Sequence, residues 1–186
     1  MSKEVIELAS QRQLFLDDHV VWGTHGIQRS LHQPESCGPI IRPDQALGIN
    51  GIQTFSVPQW NSERDLWEWW YWASTKVPSS GGSENSSRDI MYYATSTDGE
   101  HWERPALGLH DWNGSKDNNI AFDPNAGSRP IYHIIRDERE DDPTRRYKGL
   151  FSADNRYPAV SPDGFKWTML DVPPVSYTHL TLPTNR

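Results

Sequence analysis

The chain has 186 residues, a formal net charge of −7 and nine tryptophans. This acidic balance argues against a nucleic-acid partner, because phosphate binding needs a basic face. No stretch is long and apolar enough to span a bilayer, the N-terminus lacks the apolar core of a secretory signal, and the single cysteine, Cys37, excludes an internal disulfide. The sequence therefore predicts a cytoplasmic chain that contacts no membrane, and no motif in it indicates a metal ion or a cofactor.

Short β-rich runs separated by turns occupy most of the chain, and only the first dozen residues are compatible with a helical turn. The runs alternate in polarity or are rich in β-branched and aromatic residues, which is typical of half-buried strands. We predict strands at residues 13–16, 28–32, 51–57, 66–74, 90–95, 119–122, 130–135, 147–152 and 157–160. Residues 1–13 are predicted to be an N-terminal extension of one β domain that covers residues 14–174.

A seven-residue motif, S-x-D-G-x-x-W, occurs twice, at residues 96–102 and 161–167. Aspartate tolerates a positive φ and glycine prefers one, so the Asp-Gly pair suits a tight turn and Asp98 and Asp163 are predicted to be turn residues. The tryptophan then returns to cover the face of its own hairpin. A turn and an aromatic residue repeated at a fixed spacing predict copies of one antiparallel unit, arranged around a ring or along a stack.

The end of the chain differs in character from the rest. Residues 175–184 can be encoded by a nucleotide string that looks like the transposon-end adapter used in preparing sequencing libraries. We therefore predict that the natural sequence stops at about Pro174 and that residues 175–186 are a non-native tail. The alternative is a natural β-strand with a threonine-rich end.

Six runs spread along the chain are at residues 14–19, 31–34, 67–71, 93–105, 118–120 and 146–148. Together they resemble the N-terminal half of bacterial proteins classed near the five-bladed propeller glycoside hydrolases of families 32 and 43. The resemblance implies an all-β fold, a partial five-bladed β-propeller built of four-stranded antiparallel blades. A propeller ring closes with typically four to eight blades, so residues 14–174 are predicted to hold the first two to three blades of a truncated ring.

The resemblance also implies a glycosidase, present here only as an inactive fragment. Glycoside hydrolysis needs two carboxyl groups that flank the sugar bond, one as acid and one as nucleophile or base. In the propeller hydrolases an early aspartate is the nucleophile or base, a second aspartate stabilises the transition state, and a later glutamate is the acid. Asp17 or Asp18, at the end of an apolar strand, matches the first role, and strand alternation lets only one of them point inward. A turn role for this pair stays open.

Two aspartates that precede prolines, Asp142 and Asp123, are the candidates for the second role. Neither stands in the Arg-Asp-Pro setting of the family, and a solvated loop is the alternative for Asp142. The third role has no candidate, because no glutamate follows Glu140.

The tryptophan-rich strand is the predicted carbohydrate contact. Trp67, Glu68 and Trp69 are the candidate substrate-binding residues, because indole rings stack on the C–H faces of sugars; packing between blades is the alternative for the tryptophans. The histidines lack zinc-ligand spacing, and the Asp- and Asn-rich run at 111–119 is better explained as a turn than as a calcium loop. The predicted partner is therefore a carbohydrate, and a non-catalytic carbohydrate-binding or structural β-propeller is the alternative to a hydrolase.

Overall fold

The computed structural model describes residues 21, 23–77, 87–123, 131–151 and 156–172. The chain divides into two compact units, residues 1–36 and 37–186. In the first unit, the described residues form no helix or strand, and residues 23–36 are exposed. The predicted strand at 13–16 lies outside the described residues. The predicted strand at 28–32 is wrong, because an alternating segment becomes a strand only within a hydrogen-bonded ladder, and this segment is part of neither sheet.

The second unit contains two antiparallel sheets, and the first of them is built around the tryptophan-rich strand. Its strands are β1 (Ile49–Gln53), β2 (Gln59–Asn61), β3 (Leu66–Lys76), β4 (Ser87–Ser96) and β5 (Ile120–Phe122). The order is β1-β3-β4-β5, and β2 also pairs with β3. Because β1 pairs with residues 72–75 of β3 and β2 with residues 66–68, the two short strands share one edge of the sheet. Sheet 1 is thus four strands wide at any level.

Sheet 2 is a simple meander in which consecutive strands are neighbours. Its strands are β6 (Ile131–Arg136), β7 (Tyr147–Phe151), β8 (Tyr157–Ser161) and β9 (Thr168–Met169), in the order β6-β7-β8-β9. A 3-10 turn at Pro143–Arg145 interrupts the connection from β6 to β7. Both sheets therefore repeat the same pattern, an edge strand followed by three antiparallel neighbours.

The two S-x-D-G-x-x-W motifs fold in the same way, directly after β4 and β8. In each, the serine Oγ accepts the glycine N–H, at 2.8 Å in the first copy and 2.9 Å in the second. The aspartate Oδ1 accepts the two following N–H groups at 2.7 to 2.9 Å. The tryptophan Nε1 donates back to the glycine carbonyl at 2.9 and 3.1 Å. The prediction that Asp98 and Asp163 are turn residues is confirmed.

Each motif tryptophan covers its own sheet, at an equivalent place. Ser96 pairs with Trp67, and Ser161 pairs with Tyr147. Two residues further along β3 and β7, Trp102 packs on Trp69 with ring centroids 5.3 Å apart, and Trp167 lies over Gly149. We call this side of either sheet the Trp face and the opposite side the back face.

The two sheets pack with the Trp face of sheet 2 on the back face of sheet 1. Trp70, on the back face of β3, contacts Tyr147 of β7 at 5.5 Å between ring centroids and Phe165 of the second turn at 5.9 Å. This interface is the main apolar core, which also holds Trp72, Met91, Tyr93, Ile131, Ile134 and Phe151. The second cluster covers the Trp face of sheet 1. The stacking has a direction, because unlike faces meet.

The back face of sheet 2 carries an apolar groove of about 320 Å³. Ile135, Leu150, Pro158, Val160 and Leu170 line it, with Lys148 at its side. The all-β class and the antiparallel sheets are confirmed, whereas no closed sheet is present among the described residues, so the five-bladed ring stays a prediction. In the same part of the chain, no helix has the length and apolar character needed to cross a bilayer. The predicted tail at 175–186 lies outside the described residues.

The two motif glycines provide a matched test of the packing between the sheets. Gly99 and Gly164 have φ of 82° and 79°, so alanine at either position costs about 1 kcal/mol of backbone strain. A Cβ at Gly164 would stand 2.4 Å from Cζ2 of the buried Trp70, whereas at Gly99 the nearest atom is 3.8 Å away. We expect Gly164→Ala to lower the free energy of unfolding by roughly 1–3 kcal/mol more than Gly99→Ala does. Urea unfolding followed by tryptophan fluorescence measures both, and equal losses would contradict the close approach of Trp70.

Candidate functional site

The three predicted substrate-binding residues lie on different faces of β3. Trp67 and Trp69 are on the Trp face, and Glu68 is on the back face, because side chains alternate along a strand. Trp69 is buried and donates its Nε1 proton to the Ser56 carbonyl at 2.9 Å. Trp67 is half-buried. The structure therefore does not bring the three side chains to one surface.

Glu68 is the centre of a buried polar cluster between the two sheets. Its side chain is 2% exposed. Oε1 accepts hydrogen bonds from the Tyr93 hydroxyl at 2.6 Å and the Arg64 guanidinium at 2.8 Å. Oε2 accepts from the Tyr147 hydroxyl at 2.6 Å and the Asn61 amide at 2.8 Å. Every partner is a donor, and each oxygen has two of them.

The local fold explains why these donors converge. Glu68 and Tyr93 lie on neighbouring strands of sheet 1, and Tyr147 begins β7 of sheet 2. Asn61 ends β2, where its Oδ1 accepts the N–H groups of Glu63 and Arg64 at 3.1 and 3.2 Å. This capped turn directs Arg64 back over the carboxylate, with the guanidinium end partly in solvent. One carboxylate thus joins four segments of the chain.

Burial and the neighbouring carboxylate both favour protonated tyrosines. Burial first, and then the hydrogen bond and the charge of Glu68, raise the pKa values of Tyr93 and Tyr147 far above the ordinary value. Burial lowers the pKa of Arg64, but Tyr93 and Glu68 outweigh it and raise the net value. Both hydroxyls therefore remain donors over the physiological range. A carboxylate saturated in this way has no free lone pair for a substrate, so it acts as an anchor and not as an acid or base.

The first edges of the two sheets adjoin next to this cluster. The Gln59 amide donates to the Ile134 carbonyl at 2.5 Å and accepts the Arg136 N–H, and the Ile134 N–H donates to Ser56 Oγ at 3.1 Å. The Arg136 side chain is buried and pairs with Glu63 at 3.0 Å and with Glu138. Side chains of the segment around β2 therefore satisfy the open backbone edge of β6, which is the usual need of an edge strand.

The predicted catalytic aspartates do not form a pair in the described chain. Asp17 and Asp18 lie outside the described residues. Asp142 is exposed and caps the 3-10 turn, where its Oδ1 accepts the Thr144 N–H at 2.9 Å and hydroxyl at 2.7 Å. Asp123 forms an ion pair with Arg88 at 2.8 Å. Among the described residues, no hydrogen bond or ion pair links Asp142 to Glu68.

The Asp- and Asn-rich run is a network of turns. The Asp111 Oδ1 accepts the Gly114 N–H at 2.9 Å, and the Asn118 amide donates to the carbonyls of His110 and Ser115. Within the described ranges, no group of three His, Cys, Asp or Glu side chains is arranged to hold a metal ion.

Trp60 is a surface residue that sequence analysis missed. It is 38% exposed on β2 and faces Trp67 across the strand pair, with ring centroids 5.5 Å apart at 67°. The signal that identifies it is the polar turn at residues 61–65, because a hairpin centred there pairs residue 60 with residue 67. On the other side of Trp67, a cavity of about 200 Å³ is lined by Leu66, Thr95, Ser96, Thr97, His101, Trp102 and Glu103.

No protein-family model matches the chain, and no curated protein matches it in sequence. The resemblance to the propeller hydrolases therefore stays an expectation that rests on its motifs.

The Glu68 anchor predicts a large asymmetry between two kinds of substitution. In Glu68→Gln, one oxygen becomes an amide that meets two donors, so we expect a loss of about 3 kcal/mol in the free energy of unfolding. Tyr147→Phe removes one donor and should cost roughly 1–2 kcal/mol. Glu100→Gln, on the exposed first turn, is the control and should stay within about 0.5 kcal/mol. Chemical denaturation measures all three; a loss below about 1 kcal/mol for Glu68→Gln would show that the carboxylate is no anchor.

The first turn also predicts a shifted histidine. The His101 ring lies 2.7 Å from Asp98 Oδ2, and this hydrogen bond, with the charge of Asp98, raises the His101 pKa above 6.5. The N–H and ring of His101 in turn hold the pKa of Asp98 well below its usual range. Because the folded His101 pKa is raised, the pair stabilises the turn fully below the unfolded pKa, and this effect is lost as pH rises through the folded pKa.

We expect proton NMR titration to place the His101 pKa above 6.5, and Asp98→Asn to return it to about 6.5. Asparagine keeps the oxygen that accepts the turn N–H groups, so the variant removes the charge and leaves the turn intact. A wild-type value at or below 6.5 would contradict the ion pair.

Proposed function

We propose that the chain is part of a carbohydrate-active β-propeller of the glycoside hydrolase family 32/43 type, and that its two described sheets bind sugar without cleaving it. The observation that carries this proposal is the repeated turn. The same S-x-D-G-x-x-W structure follows the third antiparallel strand of two consecutive sheets, and the sheets stack Trp face to back face. Repeated sheets in this directional order are the building plan of a propeller.

The position of the edge strands gives further support. In a propeller the first strands of all blades converge on a common axis. Here the first edges of the two sheets, around β2 and β6, adjoin through Gln59 and Ser56. The last strands, β5 and β9, are at the opposite edges of their sheets.

The chemistry of the described residues supports binding more than hydrolysis. Hydrolysis needs an acid and a second carboxylate at either side of the glycosidic bond. Glu68 is sealed by four donors, Asp142 caps a turn, and no glutamate follows Glu140 to serve as the acid. A hydrolase therefore remains the proposal for a protein that supplies the missing acid, and a binding protein is the proposal for this chain.

A purely structural propeller is the second candidate, and the aromatic packing favours it. Trp69, Trp70 and Trp72 are each less than a tenth exposed, so the tryptophan-rich strand forms core on both faces. This candidate predicts the same fold and no affinity for sugars.

Calorimetric titration of the full chain with fructo-, arabino- and xylo-oligosaccharides distinguishes these functions. We expect weak binding of one class and no release of reducing sugar, because the acid is missing. Absence of binding by all three classes would leave the structural propeller in place of the proposal. Release of reducing sugar that is abolished in Asp142→Asn would restore the catalytic role of Asp142 and overturn the binding-only function.

A further inference from the structure

Trp60 stands apart from the other tryptophans of this region. Three residues of β3 bury their indoles in the two cores, whereas Trp60 leaves 38% of its surface in solvent. It is not loose, because its partner Trp67 holds it in an edge-to-face pair across β2 and β3. A large aromatic side chain that is positioned by its neighbours and still open to water is a feature of binding surfaces.

Polar groups surround this aromatic pair on both sides. After β2, the turn carries Glu63 and Arg64, whose side chains are both more than half exposed. Beyond Trp67, the first S-x-D-G-x-x-W turn approaches its indole, with Nε1 3.8 Å from the place a Cβ would take at Gly99. The cavity of about 200 Å³ begins at the chain neighbour and the register partner of Trp67, Leu66 and Ser96.

This combination matches the chemistry of a sugar ring. A pyranose or furanose has an apolar C–H face and a rim of hydroxyl groups, which need an aromatic floor and nearby donors and acceptors. Thr97, His101 and Glu103 supply such groups in the cavity lining. The volume is below the range of about 300–1,000 Å³ typical of drug-sized ligands, so it suits one ring. The mixed lining fits an apolar protein segment less well, because such a partner offers nothing to the polar groups.

We propose that Trp60 and Trp67 form a binding subsite for a single sugar ring. The ring stacks on the open face of Trp60, and its hydroxyls reach the polar groups beside Trp67. The subsite rests on the proposed function for its ligand class, but it assigns the contact to Trp60, in place of Glu68 and Trp69.

The test uses the full chain with its indole nitrogens labelled with ¹⁵N, titrated with xylotriose, arabinotriose and 1-kestose. We expect one of these sugars to shift the indole N–H signals of Trp60 and Trp67 and to leave those of Trp70 and Trp72 unmoved. Trp60→Ala should weaken binding by about tenfold, and Trp60→Phe should retain part of the affinity. Phe55→Ala is the matched control, because Phe55 is an aromatic residue that is 43% exposed on the same sheet and lies outside the subsite.

Thermal unfolding of each variant separates lost contact from lost structure. A folded Trp60→Ala protein that binds as tightly as the wild type would overturn the subsite and leave the proposed function standing. A wild-type chain that binds none of the three sugars would overturn both. Equal weakening by Phe55→Ala and Trp60→Ala would also overturn the subsite, because it would show a general effect on the sheet.

Discussion

The buried carboxylate of Glu68 is the constraint on which the arrangement of the two sheets depends. A charge removed from water costs several kcal/mol unless hydrogen bonds replace its hydration, and here four donors do so. They come from the end of β2, from the turn that follows it, from β4 and from β7. Tyr147 is the one donor that belongs to sheet 2, so its hydroxyl sets the level at which sheet 2 packs on sheet 1. The surrounding aromatic rings then fill an interface whose register is already determined.

Local chemistry made a large part of this structure predictable. The Asp-Gly turns, the long strand from Leu66 and the strands that flank each motif depend on residues close in sequence, and the structure contains all of them. The Glu68 cluster was not predictable in the same way, because Tyr93 and Tyr147 are 25 and 79 residues away along the chain. Sequence patterns show that a residue alternates toward one face, but not which distant donor meets it there. The same limitation explains the incorrect strand at 28–32, where alternation was present but no ladder forms.

The tryptophan-rich strand shows how packing and recognition compete for the same residue type. An indole buries a large apolar area and keeps one polar atom that must be satisfied, and β3 meets this need through distant carbonyls, as Trp69 does with Ser56 and Trp72 does with Ile131. These residues form the core on two faces, which is why composition alone suggested more sugar contacts than the surface offers. Trp60 differs because β2 is short and at the edge, where one side of the ring has no neighbouring strand to cover it. Its availability is a consequence of position and not of residue type.

The directional stacking of the sheets has a consequence for symmetry. A contact between unlike faces is heterologous, so the operation that carries sheet 1 onto sheet 2 leaves an unused face of the same kind, the groove along Leu150 and Val160. Repeating such an operation generates a closed ring when the rotation divides a full turn evenly, and an open superhelix when a translation is added. A ring of five requires about 72° per step. The polarity of one interface, set by where a tryptophan returns after a turn, thereby determines that larger assemblies of this unit are cyclic or helical and never face-to-face pairs.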